Sequence, residues 1–178
     1  MKDGENSTLA MAVNAEKMER VLDRDRQEIE VEKQIETLRT EFSSPESKRA
    51  RAEAIRNISR RYYEIANGMV EDSLYSEAID LYSKSIAMLR KAGNKRAVDS
   101  YFNRAITLAM IGFPKMALDD LRVISRLNPE KADLYFVKGQ IFESLGKKKL
   151  AERMYKKSLD IDPTFYRAAH SLENMHLR

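Results

Sequence analysis

The side chains most capable of metal or acid–base chemistry in this sequence are two histidines, and their spacing argues against a metal site. His170 and His176 lie six residues apart near the C-terminus. Two histidines that chelate one metal from a single helix face are four residues apart, because that spacing places both imidazoles on the same side. We therefore interpret both as ordinary surface or groove residues.

No other group of residues forms a recognisable catalytic set. The six glycines are scattered rather than gathered in a phosphate-binding loop, and the chain contains no cysteine that could form a disulfide or a thiolate metal site. Carboxylates are numerous, but no motif pairs them. We therefore predict that the protein is not an enzyme and uses neither a cofactor nor a metal, which leaves binding as the function.

The composition indicates a globular protein with a charged surface. Of its 178 residues, 43% are hydrophobic and 34% are charged, which suits one domain, or one domain with an appendage. The N-terminus has too short an apolar run for a signal peptide, and no stretch is long and apolar enough to span a membrane. We expect a cytoplasmic protein, with the nucleus as the alternative, and no membrane partner. The net charge of +4 is too small by itself to indicate nucleic acid.

A phrase of residues recurs along the chain at a fixed distance. The stretch ALDDLRVISRLNP, at 117–129, is matched thirty-four residues later by AERMYKKSLDIDP, at 151–163. A third copy begins at Ala78, 39 residues before Ala117. A period of about 34 residues is typical of arrays of helical hairpins.

Apolar spacing predicts a helix before each copy, at 62–70, 101–111 and 135–145. Each hairpin carries one small residue in the middle of its first helix and another early in its second helix: Ala66 and Ala78, Ala105 and Ala117, Gly139 and Ala151. Small side chains at both places let the two backbones approach closely. The large residues expected to fill the space toward the next hairpin are Tyr82, Leu121 and Tyr155.

The three units resemble tetratricopeptide repeats, with small residues at the eighth and twentieth positions, a large one at the twenty-fourth and Pro at the thirty-second. The matching repeats are at about 59–92, 98–131 and 132–165. The resemblance implies an all-α fold, a helical-hairpin solenoid. Departures from the pattern are Ile124, where a small residue is usual, and Arg104 and Lys138, where Leu is usual.

A charged N-terminal arm, 1–43, precedes the predicted repeat domain, 44–178. The arm is expected to be a helix with one apolar stripe, formed by Val31, Ile35, Leu38 and Phe42. The stripe is shorter than two heptads, so we interpret it as a docking face rather than a long coiled coil. Ser43, Ser44 and Pro45 are expected to break the helix, and Ser44-Pro45 to start the next one.

A C-terminal helix at about 164–178 is expected to cap the open end of the array, as such arrays require. Its apolar residues on one face are Phe165, Ala168, Ala169, Leu172 and Met175. In the first repeat, residues 92–94, Ala-Gly-Asn, are expected to end the second helix, because that repeat lacks the Pro.

A basic run follows the arm and extends into the first repeat; it is formed by Lys48, Arg49, Arg51, Arg56, Arg60 and Arg61. We interpret it as a solvated helix face. Nuclear import or nucleic-acid binding and an acidic protein partner are the alternatives, but no aromatic residues interleave the run, so nucleic acid is not expected.

The resemblance implies that the first helix of each hairpin lines a concave, ligand-binding groove. An aromatic residue recurs at its fifth position, as Tyr63, Phe102 and Phe136, each directly after a tyrosine at a core position. Adjacent helical residues point about 100° apart, so we expect the second ring of each pair to face the groove; the alternative is that these rings belong to the core. The predicted peptide-binding groove consists of Tyr63, Asn67, Phe102, Asn103, Ile106, Met110, Phe136 and Gln140.

Co-chaperone members of this family hold the acidic C-terminal tail of heat-shock chaperones in a clamp of Lys, Asn and Arg. Asn67 and Asn103 match the amide positions, whereas Tyr63, Asp133 and Val137 stand where the cations belong. A carboxylate without a cation loses charge-assisted hydrogen bonds of roughly 1.5–3 kcal/mol each. Tight binding of such a tail is therefore not expected.

Two functions fit the sequence. The first is an adaptor or scaffold, co-chaperone-like, that binds a peptide or amphipathic helix of a protein partner in the groove. The second is a structural assembly subunit whose groove is filled by its own arm or by a second copy, as in a homodimer. In a combined form, the arm is a reversible lid that competes with the partner.

Overall fold

The computed structural model describes residues 2–41, 47–91 and 97–176, with side chains at 13–38, 49–90 and 97–175. All the regular secondary structure in these ranges is helical. The helices are α1 (Lys2–Glu41), α2 (Ser47–Glu71), α3 (Tyr75–Lys91), α4 (Val98–Met110), α5 (Pro114–Leu127), α6 (Ala132–Ser144), α7 (Lys148–Ile161) and α8 (Tyr166–His176). The chain forms two compact units, Met1–Ala92, which contains α1 to α3, and Gly93–Arg178, which contains α4 to α8. The boundary predicted between an arm at 1–43 and a repeat domain at 44–178 remains a prediction.

The predicted fold class is confirmed, because the helices pair as hairpins of the expected kind: α2 with α3, α4 with α5, and α6 with α7. The second helices of the later hairpins end where the sequence indicates, with α5 stopping before Asn128-Pro129 and α7 before Asp162-Pro163. The breaks expected at 43–45 and 92–94, and Phe42 of the stripe, lie outside the described residues.

Close approach of the paired helices depends on the small residues. Their relative exposure is 0% at every alanine of the set, Ala66, Ala78, Ala105, Ala117 and Ala151. At Gly139 even a methyl group has no room, since a Cβ atom there would stand 2.3 Å from a ring carbon of Tyr155. The large residues predicted to fill the hairpins, Tyr82, Leu121 and Tyr155, are also completely buried.

The turn inside each hairpin has the same geometry in all three. The residues at equivalent places, Ser73, Gly112 and Gly146, have φ values of 64°, 86° and 70°. The next amide in each turn donates a 2.8 Å hydrogen bond to the carbonyl five residues earlier, which is the Schellman ending of a helix. This left-handed backbone conformation suits Gly, which has no Cβ. At Ser73 the same conformation is adopted by a residue that has one.

Two charged residues that depart from the repeat pattern have polar partners within the second unit. Arg104 donates from Nε and Nη2 to the two carboxylate oxygens of Asp120, at 2.8 and 2.7 Å. Lys138 donates from Nζ to Oγ of Ser125. Burial, followed by the nearby charges of Lys157 and Arg122, lowers the pKa of Lys138. These departures exchange an apolar contact between helices for a polar one.

The N-terminal helix α1 packs against α2 within the first unit. Val31 is 1% exposed and belongs to a core that includes Ile58 and Tyr62, and Ile35 and Leu38 pack against the same core half-buried. Most of the predicted apolar stripe is therefore in contact with the first hairpin.

Charged groups hold α1 in this place. Arg24 pairs with Asp72 at the turn of the first hairpin, and both side chains are largely buried. Gly68 leaves room for the guanidinium, because a Cβ there would stand 3.2 Å from Arg24 Nε. Along the helix, the Tyr62 hydroxyl donates to Glu32 at 2.8 Å. Burial and then the Glu32 carboxylate raise the pKa of Tyr62.

The cap helix α8 packs against α7, and Ala168 is its fully buried residue. Phe165, just before α8, brings its ring to 5.3 Å from Phe136, and Leu172 is half-buried. The expectation that Ala169 shares this face is wrong, because Ala169 is exposed. It follows Ala168 directly and so points about 100° away around the helix.

We predict that Ala151→Leu destabilises the second unit by about 1–3 kcal/mol, because the extra carbons have no room beside α6. The free energy of unfolding from urea denaturation measures this. The matched control is Ala169→Leu on the exposed face of α8, which should stay within roughly 0.5 kcal/mol of the parent protein. Equal stabilities of the two variants would contradict the helix packing described above.

We predict that Arg24→Ala costs about 3–5 kcal/mol in the first unit, because it leaves the Asp72 carboxylate buried without its cation. Arg20, which lies 3.7 Å from the same carboxylate and is half exposed, supplies the control, since Arg20→Ala should cost less than about 1 kcal/mol. Urea denaturation gives both values, and amide exchange along α1 should accelerate only in the Arg24 variant. Similar losses in both variants would argue against a dominant Arg24–Asp72 pair.

Candidate functional site

A cavity of about 360 Å³ opens on the second unit between α4, α6 and α8. Five of the predicted groove residues line it: Phe102, Ile106, Met110, Phe136 and Gln140. The rest of its wall consists of Ala109, Asp133, Val137, Ile141, Ser144 and Arg167. The apolar residues recur at helical spacing on α4 and α6, so each helix presents one face to the cavity.

The aromatic residues at the fifth positions of the second and third repeats differ in exposure. Phe102 is half-buried, but Phe136 is only 3% exposed. Phe136 is buried because its ring packs 5.7 Å from Tyr155 and 5.3 Å from Phe165, although it also lines the cavity. Phe136 therefore forms a fixed part of the cavity wall rather than a free anchor.

The two groove residues predicted on α2 belong to the first unit. Tyr63 is half-buried, and its ring lies 6.0 Å from that of Tyr82. The amide oxygen of Asn67 accepts a 2.6 Å hydrogen bond from the Tyr82 hydroxyl. Both side chains thus contribute to the packing of the first hairpin, and a ligand that used the Asn67 oxygen would compete with Tyr82.

The remaining predicted groove residue, Asn103, is half-buried and is not one of the residues that line the cavity. Its backbone carbonyl accepts a 2.9 Å hydrogen bond from the Thr107 hydroxyl. Asn103 follows Phe102 directly, so its side chain leaves α4 about 100° away from that ring. By contrast, Asp133 and Val137, which stand where the family's clamp has cations, both line the cavity.

Two cations lie against the aromatic rings of the cavity. The Lys131 Nζ is 4.4 Å from the centre of the Phe102 ring, and the Arg167 guanidinium is 4.5 Å from the centre of the Phe136 ring. Both distances suit cation–π contacts. Arg167 was not predicted as a site residue. It lies two residues after Phe165 on the cap helix, whose polar residues carry no repeat signature.

One of the two histidines, His170, lies on α8 within the described side chains. His170 is exposed, and its Nε2 lies 3.1 Å from the side-chain nitrogen of Asn174; the side chain of His176 is outside the described set. Among the described side chains, at 13–38, 49–90 and 97–175, no three His, Asp or Glu residues are grouped so that they could hold a metal ion. Within the same residues, no helix has the length and apolar character that crossing a membrane requires.

Comparisons with known sequences identify the repeat. Residues 132–165 match the family model described as tetratricopeptide repeat. A curated relative, small glutamine-rich tetratricopeptide repeat-containing protein 2 of Mycosarcoma maydis, is 29% identical over 90 residues. That match covers 51% of this chain and 24% of the relative, so the chain spans about a quarter of the relative's length.

Solved structures of tetratricopeptide-repeat domains share the fold at low sequence identity. The first such domain of Spaghetti (RPAP3), bound to the HSP90 peptide SRMEEVD, has a TM-score of 0.59 at 23% identity and covers 67% of this chain and 90% of that one. The Sgt2 domain from Aspergillus fumigatus has a TM-score of 0.59 at 20% identity, with coverages of 66% and 76%. Residues 132–165 are therefore a tetratricopeptide repeat, and the chain has the fold of the tetratricopeptide-repeat domains.

Proposed function

We propose that the protein is an interaction adaptor whose second unit binds a peptide or amphipathic helix of a partner protein in the cavity between α4, α6 and α8. The observation that carries this proposal is the cavity itself, which is lined by side chains from all three helices. Its volume of about 360 Å³ lies at the lower end of the range of roughly 300–1,000 Å³ typical of ligand pockets. A binding role also agrees with the usual function of domains with this fold, which is protein interaction rather than catalysis.

The lining residues suggest which part of a ligand would enter. Ile106, Met110 and Val137 offer an apolar wall, and the Gln140 amide offers both a donor and an acceptor for a ligand backbone. The methionine adapts to different side-chain shapes. An apolar side chain of the ligand would therefore be buried, while its backbone bonds to Gln140.

The charges at the cavity restrict which ligand residues can flank the buried apolar side chain. Arg167 is exposed and carries a planar guanidinium that can bond both oxygens of a carboxylate. Asp133, on α6, would repel the same carboxylate. We therefore favour a ligand with a single acidic residue near its apolar anchor over one with several carboxylates in succession.

The narrower hypothesis, a co-chaperone-like function, concerns the tail peptide that is bound to the Spaghetti domain. SRMEEVD carries three acidic side chains, and in this chain the third repeat presents Asp133 and Val137 at the cation positions. The cation that lines the cavity is Arg167, which lies on the cap helix and not at a clamp position. We propose that such a tail binds weakly here.

The alternative, a groove filled by the chain's own arm, has a structural cost. Val31 would have to leave the core of the first unit, where it is 1% exposed, and the buried Arg24–Asp72 pair would have to open. We therefore retain the adaptor as the proposed function.

To test the adaptor function, helical peptides selected from a random amphipathic library against the full-length protein would be labelled and titrated by fluorescence anisotropy. We expect Met110→Glu to weaken binding about tenfold or more, because it places a carboxylate at the apolar wall. Met18→Glu is the matched control, since Met18 is similarly exposed but lies on α1. Selected peptides that bind both variants equally would contradict a site in this cavity.

A second experiment tests the role of Asp133 with the labelled peptide SRMEEVD. Asp133→Lys should strengthen binding of this peptide about tenfold or more, because a repulsion becomes a charge-assisted contact. Asp160→Lys makes the same charge change at an exposed position of α7 and should have little effect. Equal gains from both variants would show that only net charge matters.

A further inference from the structure

The turns inside the two hairpins of the second unit share a chemical pattern that the groove does not explain. The stretches IGFPKM, at 111–116, and LGKKKL, at 145–150, are aligned by the repeat period of 34 residues. Each contains an apolar residue, a Gly, a Lys and a second apolar residue at equivalent places. The turn of the first hairpin, DSLYSE at 72–77, has carboxylates at both ends and no lysine.

These two turns lie side by side. Helices α4 and α6 contact each other, and their last residues, Met110 and Ser144, line the same cavity. The turns that follow those residues therefore lie at one end of the second unit. We call the surface formed by 110–116 and 145–150 the lysine edge.

The lysine edge exposes large apolar side chains. Phe113 is 51% exposed and Met116 is 54% exposed, and Met110, Leu145 and Leu150 are exposed as well. The same edge exposes four lysines, which are Lys115, Lys147, Lys148 and Lys149. The residues 110–116 and 144–150 contain no acidic residue.

The lysines occupy positions that are unfavourable for the helices themselves. The first turns of α5 and α7 contain no acidic residue and instead carry Lys115, Lys148 and Lys149. The N-terminus of a helix has a partial positive charge, so cations there reduce its stability. In the first hairpin, α3 has the favourable Glu77 at its start. Residues that are locally unfavourable for a helix are typically found at functional surfaces.

The turns of the lysine edge leave open space at their glycines. Both glycines of the edge have positive φ, and a Cβ atom at Gly112 or at Gly146 would meet no atom within 4 Å. A peptide needs walls on which to bury its side chains, whereas exposed apolar side chains surrounded by lysines can enter the interface of a bilayer. An acidic helix of a partner fits the charge, but the large exposed apolar side chains favour a bilayer.

We propose that the lysine edge is an attachment surface for an anionic lipid bilayer. Phe113, Met116 and Leu150 would insert among the headgroups, while the lysines contact the lipid phosphates and carboxylates. The long apolar stems of the lysines allow the ammonium groups to remain at headgroup level. This inference does not depend on the groove. It departs from the expectation, drawn from the sequence, that the protein has no membrane partner.

The test is co-sedimentation of the full-length protein with vesicles. We expect binding to phosphatidylcholine vesicles that contain about 30% phosphatidylserine, little binding to phosphatidylcholine alone, and release at about 0.5 M salt. Reversal of the four lysines should weaken binding about tenfold or more; this variant carries Lys115→Glu, Lys147→Glu, Lys148→Glu and Lys149→Glu. The matched control reverses four exposed cations of the basic run on α2, through Arg49→Glu, Arg51→Glu, Arg56→Glu and Arg60→Glu.

A single substitution tests the apolar part without changing charge. Phe113→Ser should weaken binding to the anionic vesicles severalfold, and Ser is a favourable residue at this helix start. Tyr166→Ser, at an exposed aromatic residue on α8, should leave vesicle binding unchanged. Circular dichroism would confirm that every variant keeps its helices.

Three outcomes would overturn the proposal. One is the absence of binding to the anionic vesicles. Another is an equal loss in the lysine and arginine quartets, which would reflect net charge alone. The third is lysine-dependent binding of soluble poly-glutamate without any binding to vesicles, which would assign the edge to an acidic protein instead.

Discussion

The structure depends on one steric constraint, the close approach of two helix backbones inside each hairpin. At Gly139 the ring of Tyr155 occupies the space that a Cβ would need, and the alanines at equivalent places have no exposed surface. Because the small residues fix how the two helices meet, they also fix which side chains of the first helix point outward. The large residue four places after the small one then fills the space that remains. The hydroxyl of Tyr155 donates to Glu143 at 2.7 Å, so its polar end is satisfied at the edge of that packing.

The same constraint determines what the cavity contains. With α6 held against α7, the Phe136 ring lies close to Tyr155, and the addition of Phe165 from the start of the cap encloses it. Phe102 has no such cover and stays half-buried under Lys131. The two rings stand at equivalent places of their repeats, yet their exposure differs because one has the cap helix as a neighbour. The position in the array, and not only the position in the repeat, decides the chemistry of each residue.

Much of the fold could be predicted from the sequence because its determinants are local. The spacing of small residues, the apolar periodicity of each helix, and the Pro after Asn128 and after Asp162 each act within one hairpin. The candidate site could be predicted only in part. Ile106, Met110 and Gln140 follow from helix periodicity once the repeat is recognised. The burial of Phe136, the Asn67–Tyr82 hydrogen bond and the approach of Arg167 depend on contacts between separate helices, which no periodic pattern encodes.

The turns show how the chain separates scaffold from surface chemistry. All three share one backbone geometry, with positive φ at Ser73, Gly112 and Gly146, so the hairpins tolerate different side chains around it. In the first hairpin the turn offers Asp72, which α1 neutralises with Arg24 in a largely buried pair. In the second unit the equivalent turns carry lysines at helix N-termini, where the helix dipole disfavours them. Because folding alone would favour acidic residues at those places, the lysines agree with the proposed contact of the lysine edge with an anionic bilayer.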